Sequence, residues 1–224
     1  VTTVEVWSAA LDVDEPTLLA MERTLSAQER EYARGVIDPL TRWRWVADHG
    51  WRRRLLGHVL GLAPEEVAFT VNEHGRPDLA GSPISFSPSR SGAGAVYAVS
   101  DDAVVGVDVE DHRDDVDAGA FARRFFTAGE RAALQATPAA GRAAACFACW
   151  TRKEAYAKAV GTGLVFPLTE VEVWAGDDRP VRRGDVEVHA VQVGDGRAAA
   201  VAARTDGDDP CLIRVGALEA LLSG

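Results

Sequence analysis

Residues Arg142 to about Val160 constrain this chain most. The stretch is rich in alanine, the strongest helix former, and contains neither glycine nor proline. Gly161 and Gly163 end it. Short β-branched runs surround it: Val67–Val71, Ile84–Phe86, Ala95–Ser100 and Val104–Glu110 before, and Val171–Trp174, Val186–Val193, Ala198–Ala203 and Cys211–Val215 after. Ala95–Ser100 and Val104–Glu110, joined by Asp101-Asp102, read as a hairpin. A second long helix is expected from about Leu40 to Leu60, burying Trp43, Val46, Leu55, Leu56, Val59 and Leu60 and closed by Gly61. Further helices are expected over Thr17–Ala33, where Ser26 is a suitable N-cap, and over Asp117–Phe126, Ala128–Gln135 and Gly216–Leu222. Val1–Trp7 reads as a strand, and the Ser/Pro/Gly-rich segments Asn72–Pro77 and Ser87–Gly94 read as loops.

Both halves run helix, then strands, then a final small-residue strand. Gly94–Val99 resembles Arg197–Ala203 in this respect, a faint sign of duplication. The fold expected is α+β, with two similar subdomains, 1–107 and 108–224, each a small antiparallel sheet packed on a long helix.

The 224 residues suffice for such a pair sharing one core. No apolar run reaches transmembrane length and no signal-peptide pattern is present, so a cytoplasmic location and no membrane partner are expected. Cys146 and Cys149 have C-x-x-C spacing but sit within the helical stretch with no second pair, and read as buried small apolar residues. The net charge of −10 argues against a nucleic-acid partner. Charge is uneven, however. Asp38–His58 carries Arg42, Arg44, Arg52, Arg53 and Arg54 against Asp38 and Asp48. On charge alone this segment is either a solvated helix face or a site for a polyanion.

Two clusters carry chemistry. In Val105-Gly106-Val107-Asp108-Val109-Glu110, period-two geometry puts Asp108 and Glu110 on one face and the valines on the other. Adjacent carboxylates repel unless they are exposed or share a cation, and magnesium favours hard oxygen ligands. In Trp150–Lys158, Glu154 and Lys158 lie one helical turn apart, with Trp150 one turn before Glu154. That face is either a surface ion pair or a third carboxylate and a cation suited to a phosphoryl group.

Together the motifs V-G-x-D-V-E and W-x-x-K-E-A-x-x-K-x-x-G-x-G-L resemble the signature of the large, Sfp-like 4'-phosphopantetheinyl transferases. Gly75-Arg76-Pro77, Phe86–Gly92 and Phe125–Glu130 are similar to further family motifs. The resemblance implies magnesium-dependent transfer of 4'-phosphopantetheine from coenzyme A to a serine of an apo-carrier protein, releasing adenosine 3',5'-bisphosphate. It implies a pseudo-two-fold fold with coenzyme A in the cleft between halves, within one chain, so a monomer suffices. The first half is then the adenosine and 3'-phosphate side, and the second carries metal, catalytic helix and carrier docking.

Residue by residue, it implies that Asp108, Glu110 and Glu154 are magnesium ligands, that Glu154 is the general base, and that Lys158 contacts phosphate. Lys153 is implied beside it on coenzyme A, with Arg76, Ser89 and Arg90 holding the adenosine end. Among N-terminal basic groups, Arg42, Arg44, His49 and Arg53 are the candidates for the 3'-phosphate. The family's asparagine and histidine are replaced by Ser87 and Arg90, and arginine forks well onto phosphate. Carrier docking is expected on Leu164–Val173 with part of Phe125–Glu130. The carrier class, whether fatty acid, polyketide or nonribosomal peptide, stays open. A carrier-binding module without turnover and a magnesium phosphohydrolase are the alternatives.

Overall fold

A computed structural model describes residues 1–71, 77–113, 115–161, 167–174, 176–207 and 210–222. The first half runs β1 (Thr2–Ala10), α1 (Glu15–Thr24), α2 (Ala27–Gly35), α3 (Pro39–Leu60), β2 (Phe69–Val71), β3 (Pro77–Leu79), β4 (Ser85–Ser91) and β5 (Gly94–Ser100). The second runs β6 (Val104–Asp111), α4 (Ala118–Phe125), α5 (Ala128–Ala136), α6 (Arg142–Val160), β7 (Val181–Arg183), β8 (Val186–Ala190) and β9 (Arg197–Arg204), and β10 (Cys211–Ala217) and α7 (Leu218–Leu221) close the chain. The order strand, two short helices, long helix, short strand or strands, two strands thus occurs twice.

The strand orders repeat as well. One sheet is β10-β1-β5-β4 and the other β6-β9-β8-β7, so each half has its last strand between its first and its penultimate one. Val4, Val6, Val96 and Ala98 of the first sheet pack against Val105, Val107, Val109, Val201 and Ala203 of the second. On the outer faces, Trp51, Leu55 and Leu56 of α3 cover the first sheet, and Ala155 and Ala159 of α6 cover the second. The layers are therefore helix, sheet, sheet, helix, joined through a valine-rich core in which each buried valine contributes roughly 1.5–3 kcal/mol.

Several expectations are corrected. Ala95–Ser100 and Val104–Glu110 do not form a hairpin: β5 is bonded on both sides, by β1 and β4, and β6 pairs with β9 in the other sheet. Ser87–Gly94 is not a loop but mostly β4, whose alternating serines set a period of two that composition concealed. Val171–Trp174 forms no strand, because side chains of α5 and α6 take its backbone groups. Thr17–Ala33 is broken at Leu25, and Ser26 caps α2 in a capping box with Glu29. In α3, Trp45 and Trp51 are buried, whereas Trp43 is only partly covered. β10 pairs with β1 in parallel, so the last strand of the chain completes the first sheet and makes that sheet mixed. Cys146 and Cys149 are buried, and burial pushes both thiols up, as suits inert apolar side chains.

The long helices carry a matched pair of buried cations. In α3, Arg53 binds Glu29 of the α2 capping box at 2.7 Å and donates to the carbonyls of Pro64 (3.1 Å) and Val67 (3.0 Å). In α6, Lys153 binds Glu130 of the α5 capping box at 2.7 Å and donates to the carbonyls of Leu168 (2.6 Å) and Val171 (2.8 Å). Each cation ties a helix start to the segment that follows the long helix. Gly61 and Gly161 cap α3 and α6 in the left-handed conformation, which glycine adopts without strain. The duplication suggested by the small-residue strands β5 and β9 thus extends to side-chain architecture.

Candidate active site

The site lies on the seam where β4, an edge strand of one sheet, runs beside β6, an edge strand of the other. Backbone pairing is absent between them, and serines bridge the gap. Ser85, Ser87 and Ser91 Oγ accept from the amides of Val105 (3.1 Å), Val107 (3.1 Å) and Asp111 (3.0 Å). The same row turns its protons on the carboxylates: Ser89 donates to Asp108 Oδ1 at 2.8 Å and Ser91 to Glu110 Oε2 at 3.0 Å. A serine at every second position of Ser85-Phe86-Ser87-Pro88-Ser89-Arg90-Ser91 is therefore what fixes β6 in register and orients its acids.

On the other side of β6 stands α6. A side chain at Gly106 would run into the Ala155 carbonyl and the Ala159 amide, so only glycine lets the helix lie this close. The approach brings Lys158 Nζ to 2.8 Å from both the Val107 carbonyl and Asp108 Oδ1. Asp108 is buried at 6% exposure, deeper than the exposed pair of acids that the hexapeptide alone allowed.

Two carboxylate oxygens in this cluster, Asp108 Oδ2 and Glu154 Oε1, are buried with no hydrogen-bond partner among the described residues. Burial, then the charges of Asp108 and Glu110, push Glu154 up to about 7 against the pull of Lys158. Such a set of acids is short of positive charge. Among the described residues no three His, Cys, Asp or Glu side chains already stand in a metal-chelating arrangement, and the Lys158 ammonium is the cation nearest Asp108.

The raised Glu154 has a consequence for stability. The unfolded chain releases this proton near 4.5 and the folded chain near 7. Folding is therefore disfavoured progressively between those values, and the full cost applies above 7. In chelator at pH 8, Glu154→Gln is expected to raise Tm by about 2–4 °C. At pH 4 the difference should vanish. A variant less stable than the parent at both pH values contradicts this account.

A basic cluster adjoins the acids. Asp48 of α3, nearly fully buried, accepts from Tyr97 Oη (2.9 Å) and Arg52 (3.0 Å), and Arg90 Nε lies 4.0 Å from it. Arg90, next to Ser89 on β4, keeps 44% of its side chain exposed. Asp48 and Arg52 were visible only as part of the charged segment Asp38–His58, and Ser91 only within the Phe86–Gly92 motif; none was singled out as a site residue, although the i, i+4 spacing of Asp48 and Arg52 was a signal.

Other expected residues stand elsewhere. Lys153 does not reach the site, being 1% exposed and fully engaged by Glu130 and two carbonyls. Arg53 is buried on Glu29 in the same way. Arg44 is bound through two nitrogens to Asp12, at 2.7 and 2.9 Å, and Arg42 lies 3.9 Å from Glu22. His49 stacks on Trp45 at 3.6 Å, its Nδ1 lies 2.9 Å from the Trp45 carbonyl, and burial lowers its pKa to about 4, so it is neutral at pH 7. Trp150 packs on Phe121 and Phe125 and not toward the acids. Of the expected docking surface, Phe126, Glu130, Leu168 and Val173 are core. Arg76 and Leu164–Phe166 lie outside the described residues.

The second sheet up to the last two residues of β9, α6 and the acid cluster fall in residues 104–202, which match a family model described as the 4'-phosphopantetheinyl transferase superfamily. The 4'-phosphopantetheinyl transferase HetI of a Nostoc species is 34% identical over 183 residues, covering 80% of this chain and 77% of the relative. The chain belongs to the 4'-phosphopantetheinyl transferase superfamily. Among other members of the superfamily, the transferase psf-1 of Bacillus pumilus is 35% identical over 61% of each chain. The 4'-phosphopantetheinyl transferase of Bacillus subtilis is 29% identical over 87% of this chain and 83% of its own. Phosphopantetheinyl transfer is thus this superfamily member's class of reaction, and its α+β architecture in two repeated halves agrees with that. No helix among the described residues is long and apolar enough to cross a membrane.

Proposed function

We propose that this transferase moves 4'-phosphopantetheine from coenzyme A to a serine hydroxyl of an apo-carrier protein, with magnesium held by Asp108, Glu110 and Glu154. The observation that carries the reading is Lys158 bound to Asp108 with Glu154 and Glu110 close enough to act on one another's charge, Asp108 Oδ2 and Glu154 Oε1 being buried and without partners among the described residues. Hard oxygen donors that outnumber the one ammonium bound among them fit a magnesium ion. When bound, that ion offsets charge on the pyrophosphate of the substrate.

The side chains divide the remaining work. Lys158, anchored on Asp108 and the Val107 carbonyl, presents positive charge to a phosphoryl oxygen. Glu154, one helical turn from Lys158, accepts the proton of the attacking serine. The serine oxygen bonds to the phosphorus bearing pantetheine, the bond from that phosphorus to the bridging oxygen breaks, and adenosine 3',5'-bisphosphate leaves. Ser89 and Ser91 hold the acids at fixed angles throughout. The first half, expected as 1–107 but ending structurally at β5 before Val104, supplies Arg90 and its Asp48–Arg52 support to the adenosine end. The second, 108–224, supplies acids and base, so one chain suffices as a monomer acting in the cytoplasm.

Incubation with coenzyme A, magnesium and a panel of apo-carriers, read by intact mass, tests the proposal. The expected result is the phosphopantetheine increment on at least one carrier. Release of free phosphopantetheine without a carrier identifies a phosphohydrolase, and carrier binding with no increment a non-catalytic module; either overturns the reading.

Arg90 gives a separate expectation. Its exposed guanidinium beside Ser89 suits the 3'-phosphate. Arg90→Ala should raise KM for coenzyme A about tenfold or more, with far less effect on dephospho-coenzyme A. Equal losses on the two substrates count against that role.

A further inference from the structure

A cavity of about 430 Å³ opens between the first half of α6 and the second sheet. One stretch of its wall is apolar and small, with Ala144, Ala145 and Ala148 of α6 and Ala190, Val191 and Ala198, while Trp174, His112, Gln192 and Arg197 line the rest. At its polar end lies Arg152, 1% exposed. Among the described residues its guanidinium makes only long contacts, to the carbonyls of Ala148 (3.4 Å) and Asp177 (3.2 Å) and to the Asp178 carboxylate (3.4 Å), and Asp178 is itself 76% exposed. Arg152 Nε is buried with no hydrogen-bond partner among the described residues. Lys153, its neighbour in sequence, is by contrast closed off by a buried glutamate and two short bonds. A buried cation is costly unless it is paired and hydrogen-bonded, and Arg152 is half-satisfied at the edge of an open cavity.

We infer that this cavity is a binding site for a small monocarboxylate with an apolar body, its carboxylate on Arg152 and its chain along the alanine walls. A guanidinium fork matches a carboxylate with two parallel bonds. The carboxylates of Asp177 and Asp178, also lining the cavity, weigh about twice as heavily against a dianion such as phosphate as against a single carboxylate. The volume falls within the range of about 300–1,000 Å³ typical of small-ligand pockets, room enough for a straight chain of roughly eight carbons. Nothing in the proposed transfer chemistry uses Arg152, so the site is additional to the acid cluster, which it adjoins through His112 and the Arg197–Asp111 pair at the end of β6.

Calorimetric titration of the full chain with octanoate tests the inference, with 1-octanol, octylamine and inorganic phosphate as controls. Saturable 1:1 binding of octanoate is expected, at least tenfold tighter than any control. Ala198→Leu, which fills the cavity without touching Arg152, should weaken octanoate at least tenfold, and so should Arg152→Met. If Arg152→Met fails to fold, Ala198→Leu and the octanol comparison decide alone. Equal affinity for octanoate and octanol, tighter binding of phosphate, an unaffected Ala198→Leu variant, or no octanoate binding at millimolar concentration overturns the assignment. The readout is binding and not transfer, so its failure leaves the proposed reaction untouched, and the reverse holds as well.

Discussion

Asp108→Asn is expected to lower kcat for phosphopantetheine transfer by about 10³-fold or more, with Tm changed by only a few degrees. The substitution keeps an oxygen to accept from Ser89 and keeps the volume of a side chain that is 6% exposed. It removes the charge that holds Lys158 at 2.8 Å and one oxygen donor of the proposed magnesium site. Lys158 then loses its nearest counter-ion but still has Glu154 nearby, as the downward pull of Lys158 on the Glu154 pKa shows, so the fold is largely spared. Kinetics at saturating magnesium, together with calorimetric magnesium titration, check the prediction. More than a tenth of the parent activity, or unchanged magnesium affinity, would falsify the assignment of Asp108 to the metal.

Glu130→Ala should produce the largest loss of stability. It leaves the Lys153 ammonium buried at 1% exposure without its carboxylate, and removing one partner of a buried pair costs about 3–5 kcal/mol. The variant also strips acceptors from the amides of Thr127 and Val173, at 2.9 and 2.8 Å. A fall in Tm of about 10 °C or more is expected. Lys153→Met should likewise cost stability, and the double variant Glu130→Ala/Lys153→Met should be more stable than the sum of the two losses allows, because no unpaired charge remains. KM for coenzyme A in Lys153→Met should stay within about twofold of the parent, since a side chain closed off in this way exchanges no contacts with substrate. A rise in KM with unchanged Tm places Lys153 on the substrate after all.

The contrast between Lys153 and Lys158 shows what linear motifs convey. Both lie in the same short stretch, and the resemblance assigned both to coenzyme A. Five residues on a helix is a rotation of 140° beyond one turn, so the two ammonium groups leave α6 on different sides. Lys153 enters the interior, where the α5 capping box and the segment after α6 consume all its capacity. Lys158 reaches the seam. The arginine-rich helix α3 repeats the lesson, because Arg53 is consumed by Glu29 while Arg52 is aligned by Asp48 beside Arg90. A sequence displays the cations but not the distant carboxylates that neutralise them.

What the sequence by itself determined is local. Period two in Val104–Asp111 sent valines inward and Asp108 and Glu110 to the opposite face, as β6 has them. Alanine content and glycine ends defined α6, and Ser26 with Glu29 defined the start of α2. These follow from interactions within a few residues, which spacing encodes directly. Tertiary structure decided which strands pair, that Ser85–Ser91 is a strand whose hydroxyls replace missing backbone bonds, and that β10 returns to the first sheet. It also decided which charges are left over for chemistry, because pairing across tens of residues depends on packing that no short window contains. Gly106 stands between the two levels: the sequence shows a glycine in a strand, and only the proximity of the α6 backbone explains why nothing larger fits there.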